Sequence, residues 1–261
     1  MLKLRLDSRA GNFSFFCRGR GRQRLNAVAG GGSFVVFPAL QFTGVPPVPA
    51  NATNTLVLWV GTTASGGAYR QKLGIPRRVM IPLIVTSVIG GVAGAVLLIE
   101  TPAQTFLRVL PWLMMGATLL FAFGKRLTGS ISAGMSGETR RGSMVGATIF
   151  ELAVALYGGY FGGGIGILNL AMLTALGMSD IHAMNKLEVI LGAIINGVAA
   201  VAFIVTGFIL WPQAGVMTVG AIVGGYGAAH YAQKLPQIWI RGFVIATGTL
   251  MTIYFFVRAY R

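Results

Sequence analysis

The chain is divided into long apolar runs that carry almost no charge, and this property limits what it can fold into. The runs lie at about 50–69, 79–99, 105–123, 143–158, 187–209, 214–232 and 240–257, each with at most one charged residue. About 20 such residues cross a bilayer as an α-helix. Two shorter apolar stretches, 31–44 and 163–177, each follow a glycine cluster, Gly30-Gly31-Gly32 and Gly162-Gly163-Gly164. Pro46-Pro47, Pro76-Arg77-Arg78, Pro102, Trp211-Pro212 and Pro236 mark the breaks between runs. Charged residues make up 10% of the chain, against about 25% in a soluble domain. Mean hydropathy is +0.72, and 38 of the 261 residues are glycine. The expectation is an all-α integral membrane protein with about eight transmembrane helices, Gly-rich breaks and many close helix contacts.

The charge pattern agrees with a membrane chain. There are 21 Lys plus Arg against 6 Asp plus Glu, a net +15. The basic residues gather between apolar runs, four in the 70–78 loop (Arg70, Lys72, Arg77, Arg78) and four in 124–142 (Lys125, Arg126, Arg140, Arg141). Cytoplasmic loops hold such residues, and two crossings separate these two loops. One cysteine, Cys17, excludes an internal disulfide or a CxxC redox pair. Cys17, His182 and His230 are too scattered for a structural zinc site. No GxSxG, HExxH or Walker A sequence is present, so no enzyme activity, cofactor or metal is expected.

The two halves of the chain resemble each other. Gly30-Gly31-Gly32 is matched 132 residues later by Gly162-Gly163-Gly164, and Asn51 is matched 134 later by Asn185. The stretch 89–95 (IGGVAGA) is matched 134 later by 223–229 (VGGYGAA), and Arg108 is matched 133 later by Arg241. A near-constant offset points to an internal duplication, with repeats at 25–123 and 143–258 joined by a cytoplasmic basic linker at 124–142. The loop equivalent to the basic 70–78 loop is uncharged, and Lys234 lies in the loop equivalent to 100–104. The bias swaps between halves, which favours an inverted repeat.

Residues 1–24 depart from this pattern. They hold seven of the basic residues and one acid, Asp7. Their repeat partners near 143–156 are apolar, whereas 11–24 contains four Arg. Each Arg costs roughly 2.5–3.5 kcal/mol at a helix centre on insertion scales, so this segment is not a first span. It lacks the apolar region of a signal peptide. Three readings remain: a basic tail held at anionic lipid, a nucleic-acid-binding segment without a folded module, or a frame-shifted or mis-started stretch upstream of about Leu25. The last is favoured, and no nucleic-acid partner is expected.

Binding sites in many secondary carriers lie at the membrane midplane, where helices are interrupted. An interrupted helix exposes N–H groups and about half a positive charge at its N-terminus, which suits an anion. The interruptions here are 26–33, with Gly30, Gly31, Gly32 and Ser33, and 157–166, with Gly162, Gly163 and Gly164. Tight helix packing is the plainer explanation of such glycines. Asn51, Thr53, Asn54 and Thr55 open one run, and Asn185, Lys186 and Glu188 open its counterpart. These side chains either cap helices or line a pathway with Ser33 and Asn196. Lys186 supplies positive charge for an anion or snorkels and pairs with Glu188 or Asp180. Glu151 sits inside an apolar run, where a carboxylate often marks a proton path, or is neutralised by a partner.

The segments NAVAGGGSFVVFPAL (26–40), GVPPVPANATNT (44–55), YGGYFGGGIGILNLAML (157–173), HAMNKLEVILGAIINGVAA (182–200) and GGYGA (224–228) resemble the sulfite exporter TauE/SafE family. The resemblance extends over nearly all of 25–258. It implies a multi-pass inner-membrane protein with a duplicated helical unit that transports small sulfur-containing anions such as sulfite or organosulfonates. It carries the candidate site onto the two glycine clusters and the two Asn-containing helix starts. Glu188 departs from the basic or neutral residue the resemblance leads one to expect. The expected function is a secondary carrier, with protons as a coupling ion through Glu151 and the lipid bilayer as surroundings. The alternatives are an uncoupled anion pore and the non-functional product of a disrupted frame.

Overall fold

The computed structural model of the chain describes residues 33–66, 76–133, 141–178, 180–220 and 237–261. Among these, every regular element is an α-helix. The helices are α1 (Ser33–Phe42), α2 (Pro47–Gly66), α3 (Arg77–Glu100) and α4 (Ala103–Ala133), then α5 (Arg141–Tyr160), α6 (Ile165–Ala175) and α7 (Ile181–Val205). A further helical stretch, α8, covers 211–220, and α9 runs Gln237–Tyr260. Helices α6, α7, α8 and α9 begin 132, 134, 134 and 134 residues after α1, α2, α3 and α4. The order is the same in each set: a short helix after a glycine cluster, then three further helices.

Among the described residues, four helices are long and apolar enough to cross a bilayer: Arg77–Glu100, Ala103–Phe123, Ala183–Val205 and Gly242–Tyr260. Helix α2, at 20 residues, is about 30 Å long. Its polar residues lower its hydropathy, and all of them from Asn51 to Thr55 are buried in protein. In the basic linker 124–142, α4 continues to Ala133 and α5 starts at Arg141. The linker contains no proline to stop the backbone ladder, and adding residues to an existing helix is easier than starting one. The glycine stretch 223–229 lies outside the described residues.

Helix α3 shows how the bundle meets lipid. Ile81, Val85, Val88, Ile89, Val92 and Val96 are exposed, while Leu83, Ser87, Gly90, Gly91, Gly94, Ala95 and Leu98 are buried. The β-branched residues face outward, and the glycines, Ser87 and Ala95 face inward beside Leu83 and Leu98. This is the arrangement expected where acyl chains solvate the outside and small residues let backbones approach. The approach is closest between α3 and α5. A Cβ on Gly90 would stand 2.7 Å from both the Leu152 carbonyl and the Ala155 side chain. A Cβ on Gly94 would collide with the Leu156 carbonyl, and one on Gly159 with the Gly91 carbonyl.

Two apolar clusters fill the interior. The larger joins Phe37 and Leu40 of α1, Leu56 of α2, Leu98 of α3, Phe106 and Leu110 of α4, Phe203 of α7 and Phe255 of α9. The other joins Leu83 of α3, Ala147 of α5, Met172 and Leu173 of α6, and Leu187 and Leu191 of α7. The break between α5 and α6 lies among these packed helices: Phe161 belongs to the first cluster, and Ile165 packs with Val154, Ala155 and Ile195 in a small third one.

Candidate functional site

Helix α5 ends at Tyr160, and its direct continuation is prevented by two left-handed residues, Gly162 (φ +83°) and Gly164 (φ +81°). Glycine adopts this conformation without the Cβ penalty. The N–H groups of Phe161 and Gly162 both bond back to the Tyr157 carbonyl, at 2.9 and 3.4 Å. Helix α6 then restarts, with the Ile167 and Leu168 N–H groups on the Gly164 carbonyl. The N–H groups of Ile165 and Gly166 precede the first intrahelical bond. The C-terminal end of one helix and the N-terminal end of another therefore meet at four residues, 161–164.

Buried polar side chains converge on this break. The Asn51 Nδ2 amide of α2 donates to the Tyr160 carbonyl at 3.0 Å, joining the first half of the chain to the second. Asn196 of α7 places its Oδ1 3.6 Å from where a Gly162 Cβ would stand. The Tyr157 hydroxyl donates to the Gly163 carbonyl at 2.7 Å and holds the loop from the α5 side. Ala117 of α4 lies against Gly164. Phe37 of α1 meets Phe161 edge-on, with ring centroids 6.2 Å apart. The Asn51, Asn54 and Asn196 Oδ1 atoms are buried and make no hydrogen bond.

The remaining candidate residues lie elsewhere. Thr53 accepts a hydrogen bond from the Leu210 N–H at 3.1 Å, which fixes the approach to α8. Asn185 is buried and Lys186 half-buried in the first turns of α7. Asn185 precedes Asn196 by three helical turns, about 16 Å along the axis, so the two stand at different levels of α7. Asn51 and Asn185 nevertheless hold the same place, each the fifth residue of its helix. Gly30, Gly31 and Gly32 lie outside the described residues; Ser33 opens α1, directly after that cluster.

Glu151 forms a separate feature. It is fully buried in α5, and the Ser87 hydroxyl of α3 donates to its Oε1 at 2.5 Å. Its Oε2 makes no hydrogen bond. Ten residues separate it from Phe161, about 15 Å along the helix, so it does not line the break.

Three buried polar features escaped the sequence. Asn169 of α6 is fully buried, and neither of its amide atoms makes a hydrogen bond. Gln41 of α1 is buried in the same way. Both were visible as lone amides in apolar segments. The Glu188 carboxylate lies against Gly166 in the first turn of α6, where a Cβ would displace it. Only the α6–α7 packing reveals that contact.

A helical bundle with lipid-facing apolar surfaces and a polar, glycine-built interruption in its interior defines a multi-pass membrane transporter. The family model for the sulfite exporter TauE/SafE matches residues 23–255, and the chain belongs to that family. It is 28% identical over 242 residues to a probable membrane transporter protein of Haemophilus influenzae, covering 91% of each chain. It is 26% identical over 236 residues to the probable membrane transporter protein ORF9 of a Sinorhizobium species, covering 88% of this chain and 86% of the relative. With the probable membrane transporter protein YfcA of Escherichia coli K12 it shares 27% identity over 238 residues, covering 87% and 83%. No solved structure matches the chain. The family implies a small substrate and a lipid environment.

Proposed function

We propose that the chain is a secondary carrier for a small sulfur-containing anion, such as sulfite or an organosulfonate, across the inner membrane, with the α5–α6 break as its binding centre. One observation carries the proposal: an interruption built of glycine sets the N-terminal end of α6 in the protein interior, beside buried polar residues of both halves, Asn51 and Asn196. Glycine leaves the backbone open to close approach by a ligand. The start of α6 offers N–H groups and the positive end of a helix dipole, and Gly162, Gly163 and Gly164 form the floor.

The proposed architecture is two inverted repeats, 25–123 and 143–258, with about eight crossings and a cytoplasmic linker at 124–142. One half moves against the other and exposes the centre to each side in turn. By repeat symmetry, Gly30, Gly31, Gly32 and Ser33 contribute the facing break, while Thr53 and Asn54 belong to its wall. Asn185 and Lys186 stand at the outer approach and attract the anion. Glu151, held by Ser87, carries the coupling proton. No enzymatic step is assigned.

The test is flux in proteoliposomes for sulfite, sulfate, thiosulfate and two-carbon sulfonates, with and without an imposed pH gradient. Saturable flux of at least one sulfur anion is expected, reduced at least tenfold in Asn51→Ala and Asn196→Ala. Absence of flux for every anion, or equal flux in both variants, refutes the proposal.

A further inference from the structure

We infer that the α5 side of the break is a site for a monovalent alkali cation, adjacent to the anion's place on the α6 side. This inference rests on the transport reading of the break and adds its second ion.

Three buried side-chain oxygens carry it. Asn51 uses its Nδ2 on the Tyr160 carbonyl, so the atom left over is Oδ1, an acceptor with two lone pairs. Asn196 directs Oδ1 toward Gly162. Asn54 lies one turn beyond Asn51 on the same face of α2, and its Oδ1 is the third. All three residues are at least nine-tenths buried, and none of these oxygens makes a hydrogen bond. The end of α5 adds acceptors of the same kind. Because Phe161 and Gly162 both bond to Tyr157, the carbonyls of Gly158, Gly159 and Tyr160 are left to other partners, and Tyr160 takes Asn51. A helix C-terminus also carries about half a negative charge.

An anion gains nothing from lone pairs. A hard cation is bound by just such carbonyl oxygens, and interrupted helices in carriers supply them at their C-terminal ends. The charge on the ion follows from the ligands. The oxygens at the α5 end of the break are neutral: among the described carboxylates, Glu151 lies about 15 Å back along α5, and Glu188 lies against Gly166 in the first turn of α6, on the anion's side. A divalent ion needs carboxylate charge to compensate its dehydration, so a +1 ion fits. With a cation at the end of α5 and an anion at the start of α6, each ion meets the helix end that favours it. The two partly neutralise each other as they cross.

The experiment is thermal unfolding of the purified full-length protein in lipid nanodiscs, without sulfur anions, in NaCl, KCl or choline chloride at equal ionic strength. Sodium or potassium is expected to raise Tm saturably relative to choline. Asn196→Ala and Asn54→Ala should lose the shift. Asn54→Asp, which adds a negative charge at nearly constant size, should lower the apparent Kd at least tenfold. Identical melting in all three salts, or an unchanged shift in both alanine variants, overturns the cation site. Anion flux measured on the same preparations separates the two claims. Flux that needs no cation, in protein with no salt-specific shift, refutes the cation site and leaves the carrier standing. A salt-specific shift lost in the alanine variants, in protein that moves none of the anions, keeps a cation site and refutes anion transport.

Discussion

Replacing Gly159 by alanine tests the packing on which the site depends. Gly159 is buried near the end of α5, and its Cβ position coincides with the Gly91 carbonyl of α3. The obstacle is backbone, which has no rotamer to adopt, so relief requires the two helices to separate or slide. Overpacking a tight contact costs typically 1–3 kcal/mol and occasionally more, and the rigid partner places this case at about 3 kcal/mol. Alanine's better helix propensity returns about 1 kcal/mol. The expected net loss is about 2 kcal/mol, close to a 30-fold shift in the folded fraction. Gly146→Ala is the control, because nothing lies within 4 Å of its Cβ position; it should be neutral or stabilising by up to about 1 kcal/mol. Thermal unfolding of both variants in one detergent measures the difference. If Gly159→Ala melts with Gly146→Ala, the α3–α5 backbone contact is not the constraint described.

Four further outcomes are expected. Ser87→Ala removes the donor to the buried Glu151 carboxylate and should lower stability by about 1–3 kcal/mol, read by thermal unfolding; Glu151→Gln should leave anion flux without its response to a pH gradient. Glu188→Gln removes a negative charge beside the start of α6. At an effective dielectric near 20 a unit charge about 10 Å from the anion contributes about 1.7 kcal/mol, so KM should fall roughly tenfold, and an unchanged KM would remove Glu188 from the anion's surroundings. Tyr157→Phe breaks the bond to the Gly163 carbonyl, with an expected loss near 1 kcal/mol and a lower maximal flux rate in proteoliposomes.

Much of the fold was legible because lipid imposes a simple rule. A helix that crosses must be apolar over about 20 residues, so α3, α4, α7 and α9 stand out in the sequence. The glycine clusters announced both short helices, and the sequence offsets of 132–134 residues recur in the helix starts. Helix α2 was legible by length, but the reason for its four polar residues between 51 and 55 was hidden: they face protein, not lipid. Charge marked the linker but says nothing of where a helix stops, so the continuation of α4 to Ala133 was not legible.

The site divides in the same way. Asn51, Asn196 and Gly162–Gly164 were all visible as polar or flexible residues in apolar surroundings, and so were Asn185 and Lys186. The sequence by itself determined the class of molecule, the places where helices break, and a pool of candidate residues. It could not sort that pool. Asn51 and Asn185 hold equivalent positions in their helices, yet Asn51 bonds to the end of α5, while Asn185 stands about 16 Å along α7 from Asn196. Tertiary structure also decided which atoms remain available. A hydrogen bond to Tyr160 fixes the Asn51 amide and leaves its oxygen over. Contacts between residues 109 positions apart depend on how helices cross, and crossing is set by the combined shape of all the packed faces rather than by any local pattern.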